Sequence, residues 1–395
     1  MAHQNNANNT SLTWGGVAAN KGTPDSTTTA DRRALYLKLF SGELFKGFQR
    51  NTIARDLITK RTLKNGRSLQ FIFTGRTNSE FHVPGQNILG NTDGAPPVAE
   101  VTIECDDLLI SSAFVYELDE TLAHYDLRGE ISRKIGYALA ENYDRRIFRA
   151  ITKAARQASP IQKTGFLEPG GTQIQVGTGS VGTDAYVPAN LVNAFYDAAA
   201  ALDEKGVSTE GRVGVLNPRQ YYELIQQVGE NGLVNRDQQG TSRQSGQGIV
   251  EIAGIKIYKS MNIPFFGKFG TKYGGSGATG TGVTDPGNTG SFVSEDMGNQ
   301  AESASGAPDG QRTVNDYGEG NKFDNSCGLI FQKEAVGCVE AIGPQVQVTS
   351  GDVSVIYQGD VILGRLAMGA APLNPAAAVE LIAGIAPNTG VAQAF

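Results

Sequence analysis

The sequence predicts an α+β protein organised around one long helix. Three observations carry this. Leu127–Gln157 has the apolar period of a single amphipathic helix. Strand-like runs lie on both sides of it. Glycine is very frequent, 50 of 395 residues, as expected of a chain with many turns and much strand.

The helix is argued from spacing. Ile131, Ile135, Leu139, Tyr143, Ile147 and Ile151 recur at steps of four, with Ala138, Ala150 and Ala154 beside them. That spacing draws one apolar stripe along one face. Asp126 stands at the N-cap position, and Glu130 suits the positive end of the dipole. Lys153 and Arg156 suit the negative end, and Ser159-Pro160 stops the helix. Gly129 and Gly136 weaken it by about 1 kcal/mol each relative to Ala. The rod would be roughly 45 Å long. No heptad is sustained, so a coiled coil is not expected.

The chain is long enough for two or three domains with real cores. Its net charge of −6 makes the whole molecule no obvious polyanion binder. Its apolar runs fall far short of the ~20 residues of a membrane span. The N-terminal stretch has no basic region followed by an apolar core, so no secretory signal is read there. Cys105, Cys327 and Cys338 form no C-x-x-C; they are expected reduced and buried, in a chain made in cytoplasm.

Taken in order, residues 1–30 read as a mobile arm rich in Asn, Thr, Gly and Ala. Asp31–Gln49 is a second helix candidate with Leu35, Leu39, Phe40, Leu44, Phe45 and Phe48 on a broad apolar face. Arg32–Arg76 is basic: it holds Arg55, Arg61, Arg67 and Arg76 among eleven cations against Glu43 and Asp56. One reading is a solvated or subunit-facing surface; the other is a face toward an acidic partner or nucleic acid. Ser68–Phe73 and Glu100–Tyr116 are strand-like, and a turn-rich connection joins them. Together they make a projecting hairpin with little of its own to bury, which should pack on a neighbour.

Past the long helix, Thr164–Thr183 reads as short strand and loop. Pro188–Lys205 is a helix closed by Gly206. Arg212–Leu216 is a buried strand, and Asn217-Pro218 begin a helix through Val228. Val250–Tyr258 reads as two short strands around Ala253-Gly254. This alternation is a separate α/β lobe. Phe266–Asn325 is Gly-rich and acidic and reads as a surface insertion, partly mobile. Cys327–Glu340 and Val346–Leu366 return as strand, and Pro375–Leu381 is a last apolar segment before a loose tail.

Chemistry is hard to find. His3, His82 and His124 have no partner at ligand or triad spacing. No G-x-S-x-G elbow and no P-loop is present. Gly275–Gly280 matches G-x-G-x-x-G by letter, but it lacks the strand before and the helix after that a dinucleotide site needs. Carboxylates gather at Asp106-Asp107 and at Glu117, Asp119 and Glu120. The second group could hold a divalent ion, yet it reads better as a polar turn before a helix. No catalytic, cofactor-binding or metal site is predicted.

The order of arm, hairpin, long helix, α/β lobe and return strands resembles the major capsid protein of tailed bacteriophages. Local strings resemble its short-tailed podovirus branch, cyanophages included. They are Ala34–Glu43, Gly75-Arg76-Thr77, Pro84–Asn87, Asp107–Asp126, Arg365–Gly369 and Pro375-Ala376. Phe266–Asn325 departs from the shorter relatives.

The resemblance implies the tailed-phage capsid fold. Residues 1–55 would be the N-terminal arm and 56–115 the extended loop. Residues 116–165 with 344–384 would be the peripheral domain, 166–343 the axial domain and 385–395 the tail. It implies hexamers and pentamers of the chain in an icosahedral virion shell, assembled in the host cytoplasm. The implied partners are a scaffolding protein, a portal and double-stranded DNA held without sequence specificity; a decoration protein on the insertion stays open. Arg55, Arg61, Arg67 and Arg76, set against Glu117, Asp119 and Glu120, are the candidate subunit contacts. Some relatives of this fold weld subunits through a lysine–asparagine bond. The loop tip Gly85–Val98 contains no lysine, Lys60 and Lys64 lie earlier, and Asn374 lies in the peripheral region, so no cross-link is expected. Two other readings remain: an encapsulin-like compartment shell with the same fold, and an enzyme of unknown type.

Overall fold

The computed structural model of the chain describes residues 53–75, 81–85, 96–106, 108–117, 127–163, 166–177, 184–226, 251–263, 315, 317, 326–348 and 358–383. The arm, its helix candidate, Asp126, most of the loop tip and nearly all of the Gly-rich insertion lie outside these residues. The described chain is α+β. It divides into two compact units, one holding Leu108–Asn142 and Ile342–Ala367, the other Asn51–Asp107, Tyr143–Ala341 and the chain from Met368.

The long helix, α1, runs Leu127–Arg156, as its spacing predicts. In the first unit it is amphipathic. Ile135 and Leu139 are buried, while Arg133, Lys134, Tyr137 and Ala138 face water. The same unit contains β4 (Leu109–Tyr116) and most of β13 (Gly359–Pro372), antiparallel from Gly359↔Tyr116 to Leu366↔Leu109. Ile135 and Leu139 lie over Gly364 of β13, where there is no room for a Cβ.

In the second unit the single-stripe expectation is corrected. From Tyr143 to Thr152 every residue of α1 is buried, Asp144, Arg145, Arg146 and Arg149 included. A helix buried all round must find a partner for each charge it takes inside, and those partners make up the candidate site below.

The same unit holds a six-stranded sheet in the order β7-β14-β11-β8-β10-β9. The strands are β7 (Thr172–Val176), β8 (Arg212–Leu216), β9 (Glu251–Ile252), β10 (Ile255–Lys259), β11 (Ser326–Gln332) and β14 (Ala378–Ala383). β8 is buried along its whole length, which suits a near-continuous apolar run in the middle of a sheet. Helix α2 (Pro188–Glu204) buries Leu191, Ala194, Phe195, Ala198 and Leu202. These form a core with Leu216, Ile255, Cys327, Ile330, Val379 and Leu381 of the sheet. α2 ends as predicted: Gly206 has φ 72° and its N–H bonds the carbonyl of Asp203 at 2.9 Å. The positive φ suits a residue without Cβ. Helix α3 (Pro218–Gln226) starts at the predicted proline, and Val228 lies outside the described residues. β9 and β10 flank Ala253-Gly254 as expected.

Two readings are refined. Glu100–Tyr116 is two strands, β3 (Val98–Glu104) and β4, because the chain changes sheets at Cys105-Asp106. Cys327–Glu340 is also two strands, β11 and β12 (Val336–Val348), turned at Lys333–Ala335 by Ala335 N–H on the Gln332 carbonyl at 2.9 Å. β1 (Thr59–Thr62) lies parallel to β12, from Thr59↔Gly337 to Thr62↔Glu340. Gln162–Lys163 (β5) and Phe166–Leu167 (β6) form a small hairpin.

Candidate functional site

The predicted hairpin is present. β2 (Ser68–Thr74) pairs antiparallel with β3 from Ser68↔Glu104 to Thr74↔Val98, as a two-stranded sheet of its own. Gly75 N–H bonds the Pro97 carbonyl at 2.8 Å and carries the pairing one step further. Alternation separates two faces. Leu69, Phe71, Phe73, Val101 and Ile103 are half-buried or buried. On the other face Ile72 is 75% exposed and Val98 61%, and Phe81 and Val83 beyond the strand are fully exposed and 55% exposed. Lone exposed apolar residues are ordinary, but Ile72 and Val98 share one face of the ribbon and leave it uncovered in the single subunit.

The cationic candidates have different surroundings. Arg55 forks onto Glu340, Nε to Oε1 at 3.2 Å and Nη2 to Oε2 at 3.0 Å. Arg61 is exposed, with its guanidinium 5.9 Å from the centre of the Phe71 ring. Arg67 is exposed, and its carbonyl accepts from Cys105 N–H at 2.8 Å. Glu117 is exposed and its N–H bonds the Gln358 carbonyl at 3.1 Å. Arg76, Asp119 and Glu120 lie outside the described residues. Arg55 thus meets Glu340, a carboxylate that spacing had not singled out. Tyr143 Oη also donates to Glu340 Oε1 at 2.7 Å. Burial alone would raise the Glu340 carboxyl; the bonds from Arg55 and Tyr143 outweigh it and hold the group below its ordinary range.

Four further anchors surround α1. Asp144 accepts the N–H groups of Ile53 at 2.8 Å and Ala54 at 3.1 Å, which ties the segment before β1 to the helix. Arg156 forks onto Glu380 with both bonds at 2.6 Å. Gln173 Nε2 adds a bond to Glu380 at 2.9 Å and Ser326 Oγ adds another, so a carboxylate with no exposure at all is fully paired. Arg149 donates to the Tyr317 carbonyl at 3.1 Å. Asp106 accepts from Asn315 N–H at 3.1 Å, Asn315 Nδ2 at 3.0 Å and Tyr317 Oη at 2.7 Å, with Arg146 Nη1 at 3.7 Å. Burial pushes the Asp106 carboxyl up, and these donors work against that push.

Asn315 and Tyr317 correct the reading of Phe266–Asn325 as surface throughout. Tyr317 is only 4% exposed. The composition of the segment averaged away one aromatic with four separate contacts. The other anchors left a weak trace in the sequence. Glu340 and Glu380 are each a lone charge inside an apolar strand, and Arg145, Arg146 and Arg149 sit amid the apolar period of α1.

The three cysteines are free and buried, and burial pushes the Cys327 and Cys338 thiols up to about 12. His82 is exposed in a loop. Among the described residues no group of three or more His, Cys, Asp or Glu could hold a metal ion. None of the described helices is long and apolar enough to cross a membrane. The conspicuous features are an unburied hairpin and a set of internal tie-points. A ribbon of this kind suits a subunit that packs on a neighbour.

Comparison with known proteins agrees. Residues 71–301, more than half of the chain, match the family described as Gp10A-like: Major capsid protein. The major capsid protein of Escherichia phage T7 is 24% identical over 366 residues, 89% of this chain and 92% of that one. The major capsid protein of Enterobacteria phage T3 is 32% identical over 124 residues, 31% of this chain. The capsid structure of the cyanophage P-SCSP1u superposes with a TM-score of 0.67 at 29% identity, covering 92% of this chain and 98% of that one. The mature capsid of bacteriophage PhiM1 shares the fold, with a TM-score of 0.59 at 16% identity over 89% of this chain and 92% of that one. The chain belongs to the Gp10A-like major capsid protein family and is a structural, shell-forming subunit of a phage virion.

Proposed function

We propose that the chain assembles as hexamers and pentamers into an icosahedral shell around double-stranded DNA. The observation that carries this is the β2–β3 hairpin, whose outer face shows Ile72 and Val98 to water. A two-stranded ribbon is marginal by itself, so its stability and its purpose both call for a neighbouring subunit. Weak contacts of this kind, repeated around closed rings, add up through multivalency. On this reading residues 1–55 are an arm, 56–115 the extended loop, 116–165 with 344–384 the peripheral domain, 166–343 the axial domain and 385–395 a tail.

Exposed Arg61 and Arg67, with Arg76, then face carboxylates of another subunit, Glu117, Asp119 and Glu120 among them; Arg55 is committed to Glu340. Scaffolding protein, portal and a decoration protein on 266–325 are further proposed partners. DNA is held without sequence specificity, assembly takes place in the host cytoplasm, and the chain has no enzymatic role. With no lysine between Gly85 and Val98, subunits stay unlinked, and mature particles run as one monomer band on a denaturing gel.

The test is particle size by light scattering and electron micrographs, with scaffold co-expressed. Shells or rings of capsomers support the reading. A chain that stays monomeric beside its scaffold overturns it. DNA rather than enzyme cargo inside the particles separates it from a nanocompartment shell.

A further inference from the structure

The root of the hairpin is held by residues from the far end of the Gly-rich segment. Asn315 Nδ2 donates to the carbonyl of Glu104, the last residue of β3, at 2.9 Å, and to Asp106 Oδ1 at 3.0 Å. Its backbone N–H meets the same Asp106 oxygen at 3.1 Å. Tyr317 Oη donates to Asp106 Oδ2 at 2.7 Å and accepts the N–H of Ala370 at 3.0 Å. The Tyr317 ring lies 5.6 Å from the Arg146 guanidinium, and its carbonyl takes a bond from Arg149. Burial first, then the charge of Asp106, holds the phenol protonated well above its ordinary range, so it stays a donor. Two side chains therefore tie the exit of β3 to α1 and to β13.

The chain at this root also makes two backbone ties: Cys105 N–H to Arg67 O at 2.8 Å and Asp106 N–H to Met368 O at 3.0 Å. Gly369 lies so close to the Glu104 carbonyl that a Cβ there would collide with the backbone. The root is thus a tight crossing. The ribbon also packs at its other end, where a Cβ on Gly75 would meet the side chains of Ile161 and Glu168, so the root is one of two places that hold its direction, and the one held by side-chain hydrogen bonds.

We infer that Asn315 and Tyr317 are a clamp that fixes the root of the β2–β3 hairpin, and so are positioning residues for the contact it makes with a neighbouring subunit. The second half of this inference rests on the hairpin's role under Proposed function. The first half stands on the geometry of the root alone. The clamp assigns the far end of the 266–325 segment a task inside the subunit.

The test uses the full chain carrying Tyr317→Phe, which keeps the ring and loses the hydroxyl, and separately Asn315→Ala. Hydrogen exchange is followed at the Cys105 and Asp106 amides, with Leu329–Phe331 of β11 as reference. Both variants should exchange roughly tenfold faster at the root, the effect of about one charge-assisted bond lost, with the β11 amides unchanged. Shell yield with scaffold should fall in parallel. Wild-type exchange at the root in both variants overturns the clamp. So does an equal acceleration in β11, because that is general destabilisation. Ile72→Asp separates the two readings. If it still assembles normally, the hairpin's role has failed. If it blocks assembly while the clamp variants assemble normally, the positioning role has failed.

Discussion

Glu340 shows how a single residue ties a strand to a helix and to Arg55, just before β1. Removing it by Glu340→Ala leaves the buried Tyr143 hydroxyl with only the weak acceptor Cys338 Sγ, 3.3 Å away, at a cost of about 1–2 kcal/mol. Arg55→Ala should cost at least as much, about 1–3 kcal/mol, because it strips two hydrogen bonds from a carboxylate that is only 8% exposed and leaves it the Tyr143 hydroxyl. Denaturant melts of the two variants check the order. The pH dependence follows from the direction of the shift. A carboxyl held below its ordinary value contributes stability above about 4.5 that is lost as pH falls through the lower, folded value. Lys205 works in the opposite sense. Burial lowers its ammonium to about 8, while Nζ donates to the Gly170 carbonyl and to Thr172 Oγ1. Between about 8 and 10.5 the unfolded chain holds this proton and the folded chain does not. Stability should therefore rise with pH across that window, and Lys205→Met should flatten this contribution in melts taken from pH 7.5 to 10.

At the scale of the element, α1 is two helices in one. Its first half obeys the amphipathic rule and its second half is enclosed on every side. The enclosed stretch takes in Asp144 on two backbone N–H groups, Arg146 beside Asp106 and Arg149 on the Tyr317 carbonyl, and near its end Arg156 with Glu380 is the most fully paired. Breaking such a pair from one side leaves a buried charge alone, at about 3–5 kcal/mol. Glu380→Leu or Arg156→Leu alone should therefore lower the melting midpoint sharply. The double replacement should recover most of that loss, which a double-mutant cycle measures. The pair would then be a device for register between α1 and β14 more than a source of stability.

At the scale of the whole molecule, the exposed hairpin face separates folding from assembly. Ile72 is 75% exposed and sits opposite Glu100 in the ladder. Ile72→Asp should leave the subunit's melting midpoint within about 0.5 kcal/mol of wild type, as surface changes do. The same change should abolish or strongly reduce shells in light scattering, because an apolar contact repeated at every subunit is lost at every subunit. High salt should not rescue it, whereas salt should weaken contacts made by exposed Arg61 and Arg67.

The sequence by itself determined what local periodicity and turn chemistry can determine. The four-residue spacing from Ile131 to Ile151 specified α1. Pro188 with Gly206, and the start at Pro218, marked α2 and α3. Two strand-like runs joined by a turn-rich connection specified a hairpin, and the family resemblance rests on strings read in order along the chain. Only the tertiary structure decided which charges are inside. Arg55 lies 285 positions from Glu340, and Tyr317 lies 211 from Asp106. No periodicity relates such residues, because their pairing depends on how the sheets and helices pack and not on any local conformational preference. The same reason explains why Tyr317 was invisible in a stretch of glycine and serine. Composition records what a segment can bury on average, whereas an anchor needs one side chain and a place for it to go.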